Sequence, residues 1–296
     1  MYDLIIIGMG PAGVSAAIYA KRAGLKLLCF DKAMVGGYLN YIDRVDNYAG
    51  LYGSSGPDIA FNFLEAINNL DIEVINKEVL SVLDGDVKKV VTKDGEYLAK
   101  NIIIATGRVP KKIGIENEDN LRGHGISNCA LCDGAFYRNK EVAVLGAGES
   151  ALQEALYLAN ICKKVYIIHR RDKLSVIGYN ASRVKETGNI EILYEKVIAK
   201  LKDKDGILDE IVFTDDSKLK VSALFVYIGF KPITNFLSNL DILTNDGYVL
   251  VNQSFETKIK GIYAIGDTIK KDLYQISVAV GEGAVVANKI INSILE

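Results

Sequence analysis

Cysteine, histidine and net charge are all scarce in this sequence, and no hydrophobic run is long and unbroken. Four cysteines in 296 residues, with Cys29 and Cys162 standing alone, are too few and too scattered for a secreted disulfide framework. A reducing, cytoplasmic compartment fits this usage, and there a close cysteine pair points to chemistry more than to stapling. Lys and Arg number 35 against 37 Asp and Glu, a formal charge of -2. Such a balance excludes the global basic field that draws nucleic acid or an anionic membrane, so any anion site must be local. The most apolar early stretch, Leu4 to Ala20, carries no charge but is cut by Gly8, Gly10, Pro11 and Gly13. Membrane spans and signal h-regions rarely contain that order, and neither a targeting segment nor a membrane partner is expected.

What remains is an ordinary globular balance, 49% hydrophobic and 24% charged, in a chain long enough for two domains. Leu4-Ile5-Ile6-Ile7 reads as a buried strand, a Gly-rich turn follows, and Val14 to Ala20 has helical propensity. The order repeats at Val142 to Leu145, Gly146-Ala147-Gly148 and Ala151 to Leu158, so two βαβ units are expected. Asp84-Gly85-Asp86, Asp94-Gly95, Asp205-Gly206 and Asp246-Gly247 are hairpin signals, as antiparallel additions to parallel sheets would require. The expected fold class is α/β, with two Rossmann-like, three-layer ββα nucleotide-binding domains and the second inserted in the first. Boundary signals near Gly107 to Gly114 and Pro232 to Asp241 place a discontinuous first domain at 1–112 and 242–296, and the inserted one at 113–241.

In Gly8-Met9-Gly10-Pro11-Ala12-Gly13 the glycines permit a tight turn, close approach of backbone N–H groups to a pyrophosphate, and tight helix-strand packing. Asp31 closes the next strand candidate, near the ~20-residue spacing of a carboxylate that accepts from ribose hydroxyls. The second turn, Gly146-Ala147-Gly148-Glu149-Ser150-Ala151, has alanine at the third glycine position. There His169 stands in the register of Asp31, followed by Arg170 and Arg171. A carboxylate would repel a ribose 2′-phosphate, whereas guanidinium forks bind it, so the second turn suits NADP and the first an unphosphorylated ribose. A solvated basic turn capped by Asp172 is the alternative.

Cys129-Ala130-Leu131-Cys132 brings two thiols within reach of an intramolecular disulfide, and Asp133 next to them can supply the proton that a departing thiolate needs. Half a zinc site is the competing reading, but there is no second CxxC and the only histidines are His124 and His169, so no metal is expected. Cys29, inside an apolar run, reads as a small core residue.

These residues resemble the low-molecular-weight thioredoxin reductases over essentially the whole chain. The resemblance rests on GMGPAG at 8–13, ATG at 105–107, CALCDG at 129–134, GAGESA at 146–151, HRRD at 169–172 and the late Gly266-Asp267. It implies a homodimeric flavoprotein with FAD on the outer domain, NADPH on the inserted one and thioredoxin as partner. Gly8, Gly10, Pro11, Ala12 and Gly13 would underlie the FAD pyrophosphate, and Asp31 would lie near the adenosine ribose. Gly37, Asn47, Ala105, Thr106, Gly107 and Gly266 would complete the flavin site, with Asp267 at the ribityl chain and Gln275 and Ile276 near the pyrimidine end. Gly146, Gly148, Glu149, Ser150, His169, Arg170 and Arg171 would hold NADPH. The family's order makes Cys132 the flavin-proximal sulfur, Cys129 the thiol that attacks thioredoxin, and Asp133 the acid-base group. Because the cysteine pair and the nicotinamide site share one domain and must reach one flavin in turn, that domain is expected to rotate.

Three positions depart from the family. Ser175 replaces a further arginine of the phosphate site, Leu273-Tyr274-Gln275 replaces Tyr-Arg-Gln, and Gly36-Gly37-Tyr38 replaces Gly-Gly-Gln. A ferredoxin-dependent relative is therefore the first alternative, opposed by the intact second turn and its two arginines. A thiol oxidase, or a nucleotide sensor with an inert CxxC, are others. A peroxiredoxin-reducing subunit would need a thioredoxin-like N-terminal region, and glutathione reductase a differently spaced pair.

Overall fold

The computed structural model describes residues 1–42, 45, 47–174 and 176–295, the side chains of Leu131, Cys132 and Leu295 excepted. It divides into two compact units, Met1–Val109 with Lys231–Glu296, and Pro110–Phe230.

The first unit opens with strand β1 (Tyr2–Ile7), helix α1 (Pro11–Arg22) and strand β2 (Leu27–Asp31). Proline at the first turn and Lys21 and Arg22 in the last suit the ends of α1. Helix α2 (Gly56–Asn69) starts where the Ser55 hydroxyl accepts from Asp58 N–H, and β3 (Val74–Asn76) follows it. Strands β4 (Val79–Leu83), β5 (Lys88–Thr92) and β6 (Gly95–Ile104) come next. Strand β6 serves two layers. Its first half pairs antiparallel with β5 in a meander turned by the Asp-Gly signals, and Asn101–Ile104 runs parallel to β1. Alternation along β1 makes the layers: Leu4 and Ile6 face the helices, and Ile5 and Ile7 face the meander. Strand β7 (Arg108–Pro110) then leads to the second unit.

Helix α3 (Glu118–Leu121), β8 (Ile126–Ser127) and the short helix α4 (Ala130–Asp133) precede the second strand-turn-helix. That repeat is β9 (Glu141–Leu145), α5 (Glu149–Ala159) and β10 (Lys164–Ile168). Helix α6 (Tyr179–Glu186) and β11 (Ile190–Leu193) follow, then β12 (Ile198–Lys204), β13 (Ile207–Phe213), β14 (Lys218–Lys220) and β15 (Ala223–Val226). The parallel sheet has the order β11-β10-β9-β15-β8, and β12-β13-β14 form an antiparallel layer. Again one strand splits its residues: Val142 and Val144 face the helices, and Ala143 faces the antiparallel layer.

Strand β16 (Phe230–Pro232), paired with β7, returns the chain to the first unit. There β17 (Ile262–Ala264) runs parallel to β6, and helix α7 (Ile276–Leu295) packs along α1. The units divide at 109/110 and 230/231, not at the 112/113 and 241/242 expected from loop signals. Leu237, Leu240 and Ile242 pack into the first unit's core with Ile5 and Val82, and Asn239 Nδ2 donates to the Val82 carbonyl at 2.8 Å. Proline and glycine mark where the chain bends, whereas apolar burial decides which core a residue joins.

Candidate functional site

In the first Gly-rich turn, Gly8 N–H donates to the Phe30 carbonyl at 2.7 Å, and Ala105 N–H to that of Ile7, also at 2.7 Å. Gly8 has φ +99°, and a Cβ there would lie 2.4 Å from the Ala105 oxygen, so only glycine fits. A Cβ on Gly13 would sit 1.9 Å from the Gly8 oxygen, which is the close helix-strand approach. Gly10 is different. It is the extended N-cap of α1, without a side-chain cap, and a Cβ would meet nothing within 4 Å. Open space in front of uncapped helical N–H groups fits a pyrophosphate. Asp31 ends β2 with both carboxylate oxygens engaged, by Met9 N–H at 2.7 Å and Ala33 N–H at 2.8 Å. That grip fixes the carboxylate beside the turn.

The remaining first-unit positions gather near the same strand ends. Gly36 N–H donates to the Met9 carbonyl at 2.8 Å, and a Cβ on Gly37 would stand 3.3 Å from Gly10 Cα. Following Ala105, the Thr106 hydroxyl donates to the Ile233 carbonyl at 2.6 Å, and Gly107 N–H to the Thr268 hydroxyl at 2.9 Å. Gly266, at φ +70°, donates its N–H to Glu282 Oε2 at 2.7 Å, and Glu282 is paired with Lys271 at 2.6 Å. Asp267 accepts from Arg108 Nε at 2.9 Å. The exposed Asn47 donates to Gln275 Oε1 at 2.9 Å, while the Gln275 carbonyl accepts from Ala279 N–H in the first turn of α7, which begins at Ile276.

Bond for bond, the second unit repeats the first turn. Gly146 N–H donates to the Ile168 carbonyl at 3.1 Å and Tyr227 N–H to that of Leu145 at 2.8 Å. A Cβ on Gly146, at φ +130°, would lie 2.3 Å from the Tyr227 oxygen, and Gly148 is another uncapped, extended N-cap with open space before it. Glu149 and Ser150 start α5, where Glu149 accepts from Asn180 Nδ2. His169 is buried, its Nε2 without a partner among the described residues, and burial pushes its imidazole below the usual range, the two neighbouring arginines adding to this. Arg170 and Arg171 are exposed and, among the described residues, engage no carboxylate, Asp172 included. Two free guanidinium groups beside an open helix N-terminus fit a phosphorylated ribose. Ser175 lies outside the described residues.

Cys129 is disulfide-bonded and half-buried. The Cys132 side chain lies outside the described residues, but its backbone is part of α4, which closes with Asp133. Asp133 is half-buried, and its N–H donates to the Cys129 carbonyl at 3.2 Å. Cys29 and Cys162 are free and buried, and burial raises both thiols, Cys162 to about 11, so neither is a reagent at neutral pH. Among the described residues no acidic, histidine or cysteine cluster could hold a metal, and no helix is long and apolar enough to cross a membrane.

Residues 2–283 match the pyridine nucleotide-disulphide oxidoreductase family. The chain belongs to that family. It is 37% identical to the thioredoxin reductase of Bacillus subtilis, over 98% of this chain and 94% of that protein. Among solved structures, the thioredoxin reductase of Lactococcus lactis is 36% identical and superposes with a TM-score of 0.88, covering 100% of this chain and 99% of that one. A ferredoxin-flavin thioredoxin reductase from Clostridium acetobutylicum is 30% identical, with a TM-score of 0.55 over 99% of this chain and 98% of that one.

Sequence reasoning singled out Tyr274 without its partner, and passed over three further side chains of this pyridine nucleotide-disulphide oxidoreductase. Tyr274, where the resemblance led to an arginine, carries the Arg108 guanidinium on its ring at 3.7 Å, so a cation stands there after all. Arg108 directly follows ATG, a position that offers a hint but no partner. Tyr227 and Glu154 are the others: Ala130 N–H donates to the Tyr227 hydroxyl at 2.8 Å, and that hydroxyl is hydrogen-bonded to Glu154. Nothing in one sequence links positions 130, 154 and 227.

Proposed function

We propose that this chain is a thioredoxin-disulfide reductase that binds FAD on the first unit and NADPH on the second, and hands electrons to thioredoxin through Cys129 and Cys132. The observation that carries the reading is a disulfide at Cys129, close to Asp133, in the same unit as a Gly-rich turn and two exposed arginines that engage no carboxylate among the described residues. Bound FAD would take a hydride from NADPH and deliver the electron pair to the disulfide. The residues of the chain do the rest. Uncapped N–H groups after Gly10 and Gly148 hold pyrophosphates, Asp31 accepts from a ribose hydroxyl, and Arg170 and Arg171 select the 2′-phosphate. Cys129, as a thiolate, attacks the thioredoxin disulfide to form a mixed disulfide, and Cys132 displaces it, restoring the internal bond and releasing a dithiol. Asp133 supplies the proton that the departing sulfur requires. Movement of the second unit about its two crossings belongs to this reading, as does a homodimer, for which Phe61 and Leu64, exposed one helical turn apart on α2, offer apolar surface. Buried free thiols suit a reducing cytoplasm.

Anaerobic titration of the flavin absorbance with NADPH, NADH and reduced ferredoxin tests the donor. Bleaching by stoichiometric NADPH alone is expected. Bleaching by ferredoxin with no response to either nucleotide would transfer the chain to the ferredoxin-dependent type and make the second turn a structural remnant.

A further inference from the structure

The peptide between Cys129 and Ala130 is gripped on both edges. Its carbonyl accepts from Asp133 N–H and from the Ser127 hydroxyl, each at 3.2 Å. Its N–H, on a residue with no solvent exposure, donates at 2.8 Å to the Tyr227 hydroxyl, which hydrogen-bonds in turn to Glu154 on α5. Tyr227 follows β15 directly, and its carbonyl is the one that confines Gly146, so the ring that reaches Ala130 starts from a fixed backbone.

Glu154 is an unusual group to keep there. Its Oε2 is buried and has no partner among the described residues, and no basic side chain contributes to its ionisation. Burial raises the carboxyl to about 7, against the Tyr227 hydrogen bond, which favours the ionised form. A buried carboxyl without a cation destabilises the fold, so a purely structural role would be better served by an apolar residue.

The chemistry of the cysteine pair supplies a role. Reduction of the disulfide consumes two electrons and two protons and yields two thiols, one of which must ionise to attack a partner. A thiolate draws on N–H donors of its own turn, and each donor it gains stabilises the reduced state. Ala130 N–H belongs to that turn, and Tyr227 fixes its direction by accepting from it, while Glu154 places a carboxyl one hydrogen bond beyond.

We propose that Tyr227 and Glu154 are positioning residues for the redox pair: together they take up the Ala130 N–H, hold Cys129 in one orientation and bias the pair toward the disulfide, making its dithiol a stronger reductant. The inference rests on the reading of Cys129 as half of the redox pair.

The test equilibrates the flavin-loaded protein anaerobically with dithiothreitol buffers at one pH and counts thiols by alkylation and mass spectrometry. Wild type is compared with Tyr227→Phe and Glu154→Gln. Tyr227→Phe is expected to move the equilibrium about tenfold toward the dithiol, roughly 30 mV for a two-electron couple. Glu154→Gln keeps an oxygen for Tyr227 but not the charge, and is expected to move it a few-fold the same way with no loss of melting temperature. A lowered melting temperature with the equilibrium unchanged in Tyr227→Phe would overturn the proposal. If that variant does not fold, an unchanged equilibrium in Glu154→Gln overturns it instead. A wild-type pair that never cycles would sink the redox reading itself, a result distinct from a pair that cycles but ignores both substitutions.

Discussion

At single residues, charge placement is where the proposed preference for NADPH is open to test. Replacing both Arg170 and Arg171 by alanine removes charge-assisted hydrogen bonds worth about 1.5–3 kcal/mol each. The Michaelis constant for NADPH is expected to rise by about 100-fold or more while that for NADH stays within a few-fold, and equal effects would refute the phosphate role. Glu154 gives a pH signature. Its carboxyl, ordinarily at 4.5, stands at about 7 in the fold, so between those values the folded chain keeps a proton that the unfolded chain has released. Its contribution to stability is therefore greatest below about pH 4.5, falls as pH rises, and levels off above about pH 7. Thermal melts across this range should show Glu154→Gln gaining on wild type as pH rises, whereas a constant offset would count against the shifted carboxyl. Residues with a chemical type and a spacing, such as Asp31 or Cys129, were legible in the sequence. Arg108, Tyr274, Tyr227 and Glu154 were not, because each acts through a partner more than fifty residues away in the chain.

At the scale of elements, the two strand-turn-helix repeats were legible because their physics is local: a β-branched run buried on both faces, a glycine that must adopt positive φ, then a run of helix formers. How tightly those elements approach one another was not. Helices α1 and α7 pack so closely that a Cβ on Gly283 would lie 2.3 Å from the Ala12 carbonyl oxygen and 2.9 Å from Ser15 Cβ. Gly283→Ala should gain roughly 0.8–1 kcal/mol in helix propensity yet lose about 1–3 kcal/mol to overpacking. A lower melting temperature with weaker retention of flavin is expected, since α1 carries the Gly10 N-terminus. A rise in melting temperature would mean that α7 shifts freely. Glycine inside a helix reads in the sequence only as a weak helix former, and the neighbour that requires it is some 270 residues upstream.

For the molecule as a whole, the path of electrons through two units is the property to test. Cys132→Ser should leave reduction of the flavin by its donor intact and abolish thioredoxin turnover, because the exit is cut and the entry is not. Stopped-flow absorbance and a coupled thioredoxin assay measure the two halves, and retained turnover would remove Cys132 from the path. Fold class, the repeat of the nucleotide-binding unit and the family follow from the sequence alone, since periodicity, glycine spacing and a CxxC next to an aspartate are properties of neighbours in the chain. Only the tertiary structure decided that residues 231–241 join the first core, that Arg108 stands over Tyr274, and that Tyr227 and Glu154 hold the peptide beside Cys129. Each of those depends on which apolar surfaces bury one another and on which distant polar groups then meet out of water, and such energies are summed over the folded chain and not along it.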